Sequence, residues 1–322
     1  MRRTAIKPKR LYELAREYLA LRHVPPPPNP EGGRPRTYDD ALILTIASIQ
    51  NLNQYSFRET LEYCEDYFKE LPALSTYHDR LAMLTSDIAQ GFVEYTGKKI
   101  ASLNKNTSSK KGRIFVVDGT GFSYHDTYPM KFFNGMDIRK IKTHVKLGVL
   151  IGLTNKGKRF VVSAKADKSY AGDTTLIQPL LDNLDSGKGY VLGDKGFDSC
   201  QIMQTILNKG YHPVIPIKRR RGSSVNDPLR EQSDKRAQGL IYKKRTLVEG
   251  LFGNIKQKLS SHIKIFKLEI AKFFALLRFA LLNVSVLVGM EKGIAIWIWF
   301  PNSARADGQK YHQLKRGANP LF

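Results

Sequence analysis

A mixed α/β sheet with helices on its faces, behind an all-helical leading region, is the fold class this sequence predicts. Three observations carry the prediction. Apolar residues recur at helical spacing through residues 11–103. The period changes to extended runs after a polar stretch at 104–112, and beyond residue 174 helical and extended segments alternate.

In chain order, residues 11–24 form a short amphipathic helix. Pro25 to Pro28, Asn29, Pro30 and Gly32-Gly33 then make a stiff spacer. Three helical segments follow, at Tyr38–Asn51, at Ser56–Tyr67, which opens on the capping-box pattern Ser56-Phe57-Arg58-Glu59, and at Ser75–Thr85, continued by Ser86–Leu103. Such helices suit helix-turn-helix-like DNA binding and an ordinary helical fold alike. We therefore divide the chain into a helical region at 1–103, a linker at 104–112, an α/β domain at 113–300 and a basic tail at 301–322.

Within the α/β domain, Ile114–Val117 is an apolar strand ending in Asp118-Gly119-Thr120-Gly121. Thr143–Leu153 and Arg159–Ala166 are further strands, and Thr174–Leu184 is a helix. Gly189–Leu192 is a buried strand that ends in Gly193-Asp194-Lys195-Gly196-Phe197-Asp198. A helix at Ser199–Asn208, a strand at His212–Ile217 and a basic loop at Lys218, Arg219, Arg220 and Arg221 lead to a last amphipathic helix over Tyr242–Lys258.

Lys and Arg number 52 against 29 Asp and Glu, a formal charge of +23. Self-repulsion of that size opposes compaction, and a polyanionic partner accounts for it. Because the basic residues run the whole length, a broad DNA or RNA footprint fits better than one tail. An anionic membrane would compete, but no basic amphipathic helix with an apolar anchor stands out. Cys64 and Cys200 have no pairable spacing and no His/Cys cluster, against a zinc finger and against a stapled secreted domain. The basic start has no apolar stretch behind it, so no signal peptide is expected. Phe273–Met290 is apolar enough to suggest a membrane span, yet Arg278 and Asn283 interrupt it. A buried helix on a sheet explains it better.

The candidate chemistry lies in three carboxylates. Asp118 and Asp194 each follow an apolar strand among glycines, at the strand ends where α/β sheets gather their sites. Either could simply open a turn. On the last helix, Tyr242, Arg245, Glu249 and Lys256 fall within roughly 60° of one another, opposite Leu247, Val248, Leu251, Ile255 and Leu259. Alone, that face reads as a solvated surface with an Arg245–Glu249 pair. Together, Asp118, Asp194 and Glu249 make an oxygen-only site of the kind that suits Mg²⁺ or Mn²⁺. The cations of Lys218–Arg221 suit DNA, and His144, on a strand with Lys142 and Lys146, is placed beside the carboxylates without ligating.

At these residues the sequence resembles the DDE-type insertion-sequence transposases, whose catalytic core is RNase H-like. Tyr242, Arg245, Glu249 and Lys256 meet the family signature Tyr-x2-Arg-x3-Glu-x6-Lys position by position. Val116-Val117-Asp118-Gly119-Thr120 and Leu192-Gly193-Asp194-Lys195-Gly196-Phe197-Asp198 extend the likeness from Arg113 to Met290. The resemblance implies a catalytic triad of Asp118, Asp194 and Glu249 on two Mg²⁺ ions, with Tyr242, Arg245 and Lys256 gripping DNA phosphate. It further implies cleavage at element ends, strand transfer into target DNA, end recognition by residues 1–103, a homodimer on DNA and a prokaryotic, nucleoid-associated setting. A structure-specific nuclease and a non-catalytic DNA-binding descendant are the alternatives. Between Asp194 and Glu249 the sequence offers room for a helix, a strand and the basic loop, without the large β-rich insertion of some relatives.

Overall fold

The computed structural model describes residues 6–22, 37–105, 113–131, 138–154, 157–169, 171–218 and 227–292. The helical region comprises α1 (Pro8–Leu21), α2 (Asp40–Asn53), α3 (Phe57–Glu65), α4 (Leu74–Met83) and α5 (Ser86–Lys105). Local chemistry sets their starts. The Asp39 carboxylate accepts from Leu42 N at the head of α2, and Ser56 and Glu59 close the expected capping box on α3.

The sheet is built from β1 (Arg113–Lys131), β2 (Ile138–Leu153), β3 (Arg159–Lys168), β4 (Gly189–Leu192), β5 (Tyr211–Val214) and the short β6 (His262–Ile263). Its order is β3-β2-β1-β4-β5, with β6 also on β1. The first three strands are antiparallel, and β4 and β5 run parallel to β1. This mixed sheet flanked by helices is the fold class expected, in the arrangement an RNase H-like core requires. Gly189 starts β4 at φ 145°, where a side chain would run into the Arg113 backbone.

Apolar residues leave the sheet on both faces. Phe115, Val117 and Leu150 pack with α6 (Asp173–Asp182) and α7 (Cys200–Asn208). Val116, Phe122, Val149 and Ile151 pack on the other face with α1, α2, α5, α9 (Thr246–Leu259) and α10 (Leu268–Glu291). The helical region therefore shares one core with the sheet. Among the described residues, α10 is the helix long and apolar enough to cross a membrane, and 94% of that stretch is buried inside the protein. Its buried polar residues, Arg278, Asn283 and Ser285, all find partners inside the protein. The Asn283 side chain bonds both Val161 N and Val161 O, covering edge strand β3 as a neighbouring strand would, and also reaches Val93 O on α5.

Three expectations need correction. Asp118 does not end a strand: β1 runs through it to Lys131, paired with β2 before and after a register shift. The last helix is two pieces, a 3₁₀ turn over Leu240–Arg245 followed by α9. Between Asp194 and Glu249 there is also a further helix, α8 (Pro228–Ala237), capped by Asp227. Arg219–Arg221, most of the 104–112 linker and the 301–322 tail lie outside the described residues.

Candidate active site

The course of β1 explains where the site lies. On one edge β1 pairs with β2 over Phe115–Ser123 and again over Thr127–Lys131, with a register shift between. On the other it meets β4 at Arg113–Val116 and β6 at Ser123–Tyr124. No described strand covers that edge over residues 117–122, and Asp118 sits at this gap. Strand alternation puts Asp118 on the face of Val116 and Phe122, the face that α9 and α10 cover. Asp194 follows the end of β4, and Glu249 stands in the first turn of α9.

Arg245 joins two of the three carboxylates. Its Nη1 donates to Asp118 Oδ2 at 3.3 Å and its Nη2 to Glu249 Oε1 at 3.1 Å. The 3₁₀ turn contributes to this, because residues three apart eclipse in a 3₁₀ helix and so Tyr242 and Arg245 share a side. Asp118 and Asp194 each accept a backbone N–H from the next residue, Gly119 N at 2.9 Å and Lys195 N at 2.8 Å. Both line a cleft of about 500 Å³ together with Gly119, Gly121, His144 and Lys146.

Burial raises the Asp118 pKa, as do the like charges of Asp194 and Glu249. The Gly119 N–H and the Arg245 guanidinium oppose the rise without cancelling it. Asp118 thus feels the charge of both Asp194 and Glu249 across the gap. Loss of water lowers His144, as do the cations Lys146 and Lys256, so the imidazole is neutral at pH 7. Lys256 lies half-buried with its ammonium 5.8 Å from the Phe122 ring centre. The space above Gly253, on the same helix, is open.

Residues 109–284, more than half of the chain, match the family described as the Transposase DDE domain. The chain belongs to that family. An uncharacterised protein of Aquifex aeolicus (strain VF5) is 29% identical over 260 residues, covering 80% of each chain. The piggyBac transposase synaptic complex with hairpin DNA aligns with 98% of this transposase and 80% of that chain, at 10% identity and a TM-score of 0.42. The Drosophila P element transposase strand transfer complex aligns with 63% and 42%, at 11% identity and a TM-score of 0.23.

Among the described residues of this transposase, no three His, Cys, Asp or Glu side chains already close around an ion position. The donor set still suits a hard divalent cation. It holds Asp118, whose proton affinity burial and the charges of Asp194 and Glu249 raise, and a guanidinium that now bonds Asp118 and Glu249. Arg245 holds one oxygen of Asp118 and one of Glu249, so a cation drawn to both carboxylates competes with it.

Asp198, to which the sequence assigns no role of its own, is a buried anchor next to the site. Its side chain is 1% exposed and takes a two-pronged bond from Arg230 of α8, Nε to Oδ1 at 2.8 Å and Nη2 to Oδ2 at 2.6 Å. Lys218 N donates to the same carboxylate. Burial alone would raise its pKa, but Arg230 and the Lys218 N–H hold it below the usual range. The pair anchors the loop after Asp194 to α8 and to the root of the basic loop. A Pro at the first position of α8 behind Asp227 was the one local signal for that helix.

Proposed function

We propose that this transposase cuts DNA at the ends of its element and joins the freed ends to target DNA, using Asp118, Asp194 and Glu249 as its catalytic carboxylates. One observation carries the reading. Carboxylates from the loop after β4 and from α9 both come within electrostatic reach of Asp118 at the open stretch of β1. The three residues would hold Mg²⁺, or Mn²⁺ in its place. Two such ions, when bound, supply activation of the attacking oxygen and stabilisation of the leaving oxygen.

The chain's own residues do the rest. Arg245, once released from the carboxylates, forks onto phosphate oxygens. Tyr242, half-buried beside it, donates from its phenol, and Lys256 adds a point charge further along α9. Lys218 is exposed where the loop continuing through Arg219, Arg220 and Arg221 begins, and these cations hold the DNA flank. Neutral His144 lines the same cleft and donates or accepts without adding charge. End recognition belongs to residues 1–103. In support, α3 buries little beyond Thr60 and Cys64, and α4 little beyond Tyr77, Arg80 and Leu81, leaving both open to a groove. Action on two ends at once calls for a homodimer on DNA.

The test is a Mg²⁺-dependent assay on duplex carrying the element end, reading cleavage and strand transfer separately. Both products are expected, and both should vanish in Asp194→Asn while DNA binding survives. Cleavage without joining would replace the reading with a nuclease. Cleavage that persists in Asp194→Asn would remove that residue from the site.

A further inference from the structure

Helix α9 carries Glu249, whose side chain is 60% exposed and is bonded by Arg245. The helix leaves the 3₁₀ turn at Arg245, which makes no side-chain cap bond to it. Its apolar face, with Val248, Leu251, Ile255 and Leu259, is buried in the core. Apolar burial is non-directional, so it presses the helix inward without fixing where it stands along its own axis. The bond from Arg245 to Asp118 ties the head of α9 to β1, but a cation drawn to the carboxylates loosens that tie.

Arg159 supplies a tie that no carboxylate shares. It opens β3, is half-buried, and has its backbone in register with Leu153 of β2. Its Nη1 donates to Leu247 O, in the first turn of α9, at 2.7 Å. A helix carbonyl has two lone pairs and the helical ladder uses one, so the other is free to accept. Helix carbonyls point toward the C-terminus, and that of Leu247 therefore opens beside the residue one turn on. That residue is Gly250, the direct neighbour of Glu249. A Cβ there would lie 3.2 Å from Arg159 Nη1, tighter than an ordinary contact, whereas at Gly253 of the same helix it would meet nothing within 4 Å. Glycine is a poor residue for an exposed helix interior. At Gly250 the missing side chain is the room that the guanidinium occupies.

We propose that Arg159 is a positioning residue for Glu249. Seated in the notch at Gly250, its guanidinium fixes the axial position of α9, and so the place of the Glu249 carboxylate relative to Asp118. The inference rests on the reading of Glu249 as a catalytic carboxylate. Arg159 holds α9 in place when Arg245 turns from the carboxylates to phosphate. A misplacement of about 1 Å is enough to slow a reaction by orders of magnitude.

The test combines single-turnover cleavage of end DNA with calorimetric Mn²⁺ titration of the DNA-free protein. Arg159→Met should lower both the cleavage rate and the Mn²⁺ affinity about tenfold, as the loss of an outer partner of a metal ligand does. DNA affinity should stay nearly unchanged. Loss of a cation alone would strengthen Mn²⁺ binding, so the sign separates positioning from charge. Arg159→Lys, which keeps the charge and a donor, should recover part of both losses. Gly250→Ala should impair cleavage by itself and add nothing beside Arg159→Met, because the group it crowds is gone. Unchanged or tighter Mn²⁺ binding in Arg159→Met overturns the proposal, and a lower melting temperature in that case reduces the residue to a structural tie. Additive losses in the double variant overturn the notch at Gly250. Cleavage that persists in Glu249→Gln overturns the catalytic reading of Glu249 and this inference with it. A silent Arg159→Met beside an inactive Glu249→Gln overturns this inference alone.

Discussion

Two guanidinium groups, Arg245 and Arg278, are held in opposite ways. Arg245 is partly open to water and bonded to two carboxylates. Arg278 is 1% exposed and bonded to neutral acceptors: Ser260 O at 2.7 Å, His262 O at 3.0 Å and Asn51 Oδ1 at 3.3 Å. Its guanidinium also lies 4.6 Å from the Phe122 ring centre. Burial pulls the Arg278 pKa down to about 9, which still leaves it charged at neutral pH. Carboxylates hold a guanidinium by charge, and another cation can take its place. Backbone carbonyls hold it by direction. The first arrangement is built for exchange and the second for permanence.

The largest effect that sharpens this contrast is in catalysis. Asp118→Asn removes one arm of the Arg245 fork and one oxygen donor to metal. Single-turnover cleavage should fall on the order of a thousandfold, with DNA affinity equal or slightly improved because a negative charge near phosphate is lost. Wild-type cleavage in this variant would place the chemistry elsewhere.

Next in size is the loss of permanence. Arg278→Met should lower stability by about 3 kcal/mol, since it leaves two backbone carbonyls and an amide oxygen without donors. Thermal melting should show a drop of roughly 10 °C. An unchanged melting temperature would mean that those acceptors find other partners and that the contrast fails.

These buried devices also mark what the sequence could convey. Gly189–Leu192, the α3 capping box and the buried character of the Phe273–Met290 stretch were legible, because each has a local cause in turn chemistry, capping or the cost of charge in lipid. The passage of β1 through Asp118 was not, since Gly119 and Gly121 read as turn residues when a strand partner is unseen. The 3₁₀ turn was hidden because its period differs from an α-helix by only about 20° per residue. Helix α8 buries Ser233, which bonds Ile215 N and O, and it shows no apolar stripe for a periodicity to reveal. The Asp198–Arg230 pair joins residues 32 positions apart, a distance that leaves no trace in spacing. The i,i+4 pairing of Arg245 with Glu249 was legible from helical spacing. That Arg245 also reaches Asp118, 127 positions earlier, was not.

A smaller effect tests exchange directly. Arg245→Ala should raise the affinity of the DNA-free protein for Mn²⁺ about tenfold, because the ion no longer competes with a guanidinium for Asp118 and Glu249. Lys256→Ala removes a nearby charge without that competition and should change Mn²⁺ affinity less. Calorimetric titration separates the two, and equal gains would reduce the Arg245 effect to simple charge.

The smallest is a shift in one titration. Folding lowers the His144 pKa, partly through Lys256, so Lys256→Ala should move its midpoint upward, as read by proton NMR. The sign for stability follows from the same shift. The unfolded chain binds the proton more readily, so the contribution from His144 is present above its unfolded pKa and is lost as pH falls below it. An unmoved midpoint would take Lys256 out of the cleft.

Helix α10 has a consequence in time. It covers α5 and the sheet, yet about 160 residues separate Lys105, at the end of α5, from Leu268. At ribosomal speeds of about 5–20 residues per second, that gap lasts roughly 8 to 30 seconds. Throughout it, the apolar faces of α1, α2 and α5 have been synthesised while the helix that seals them has not. Over that interval the emerging polypeptide exposes the apolar surface that α10 will cover, the condition under which chaperones act.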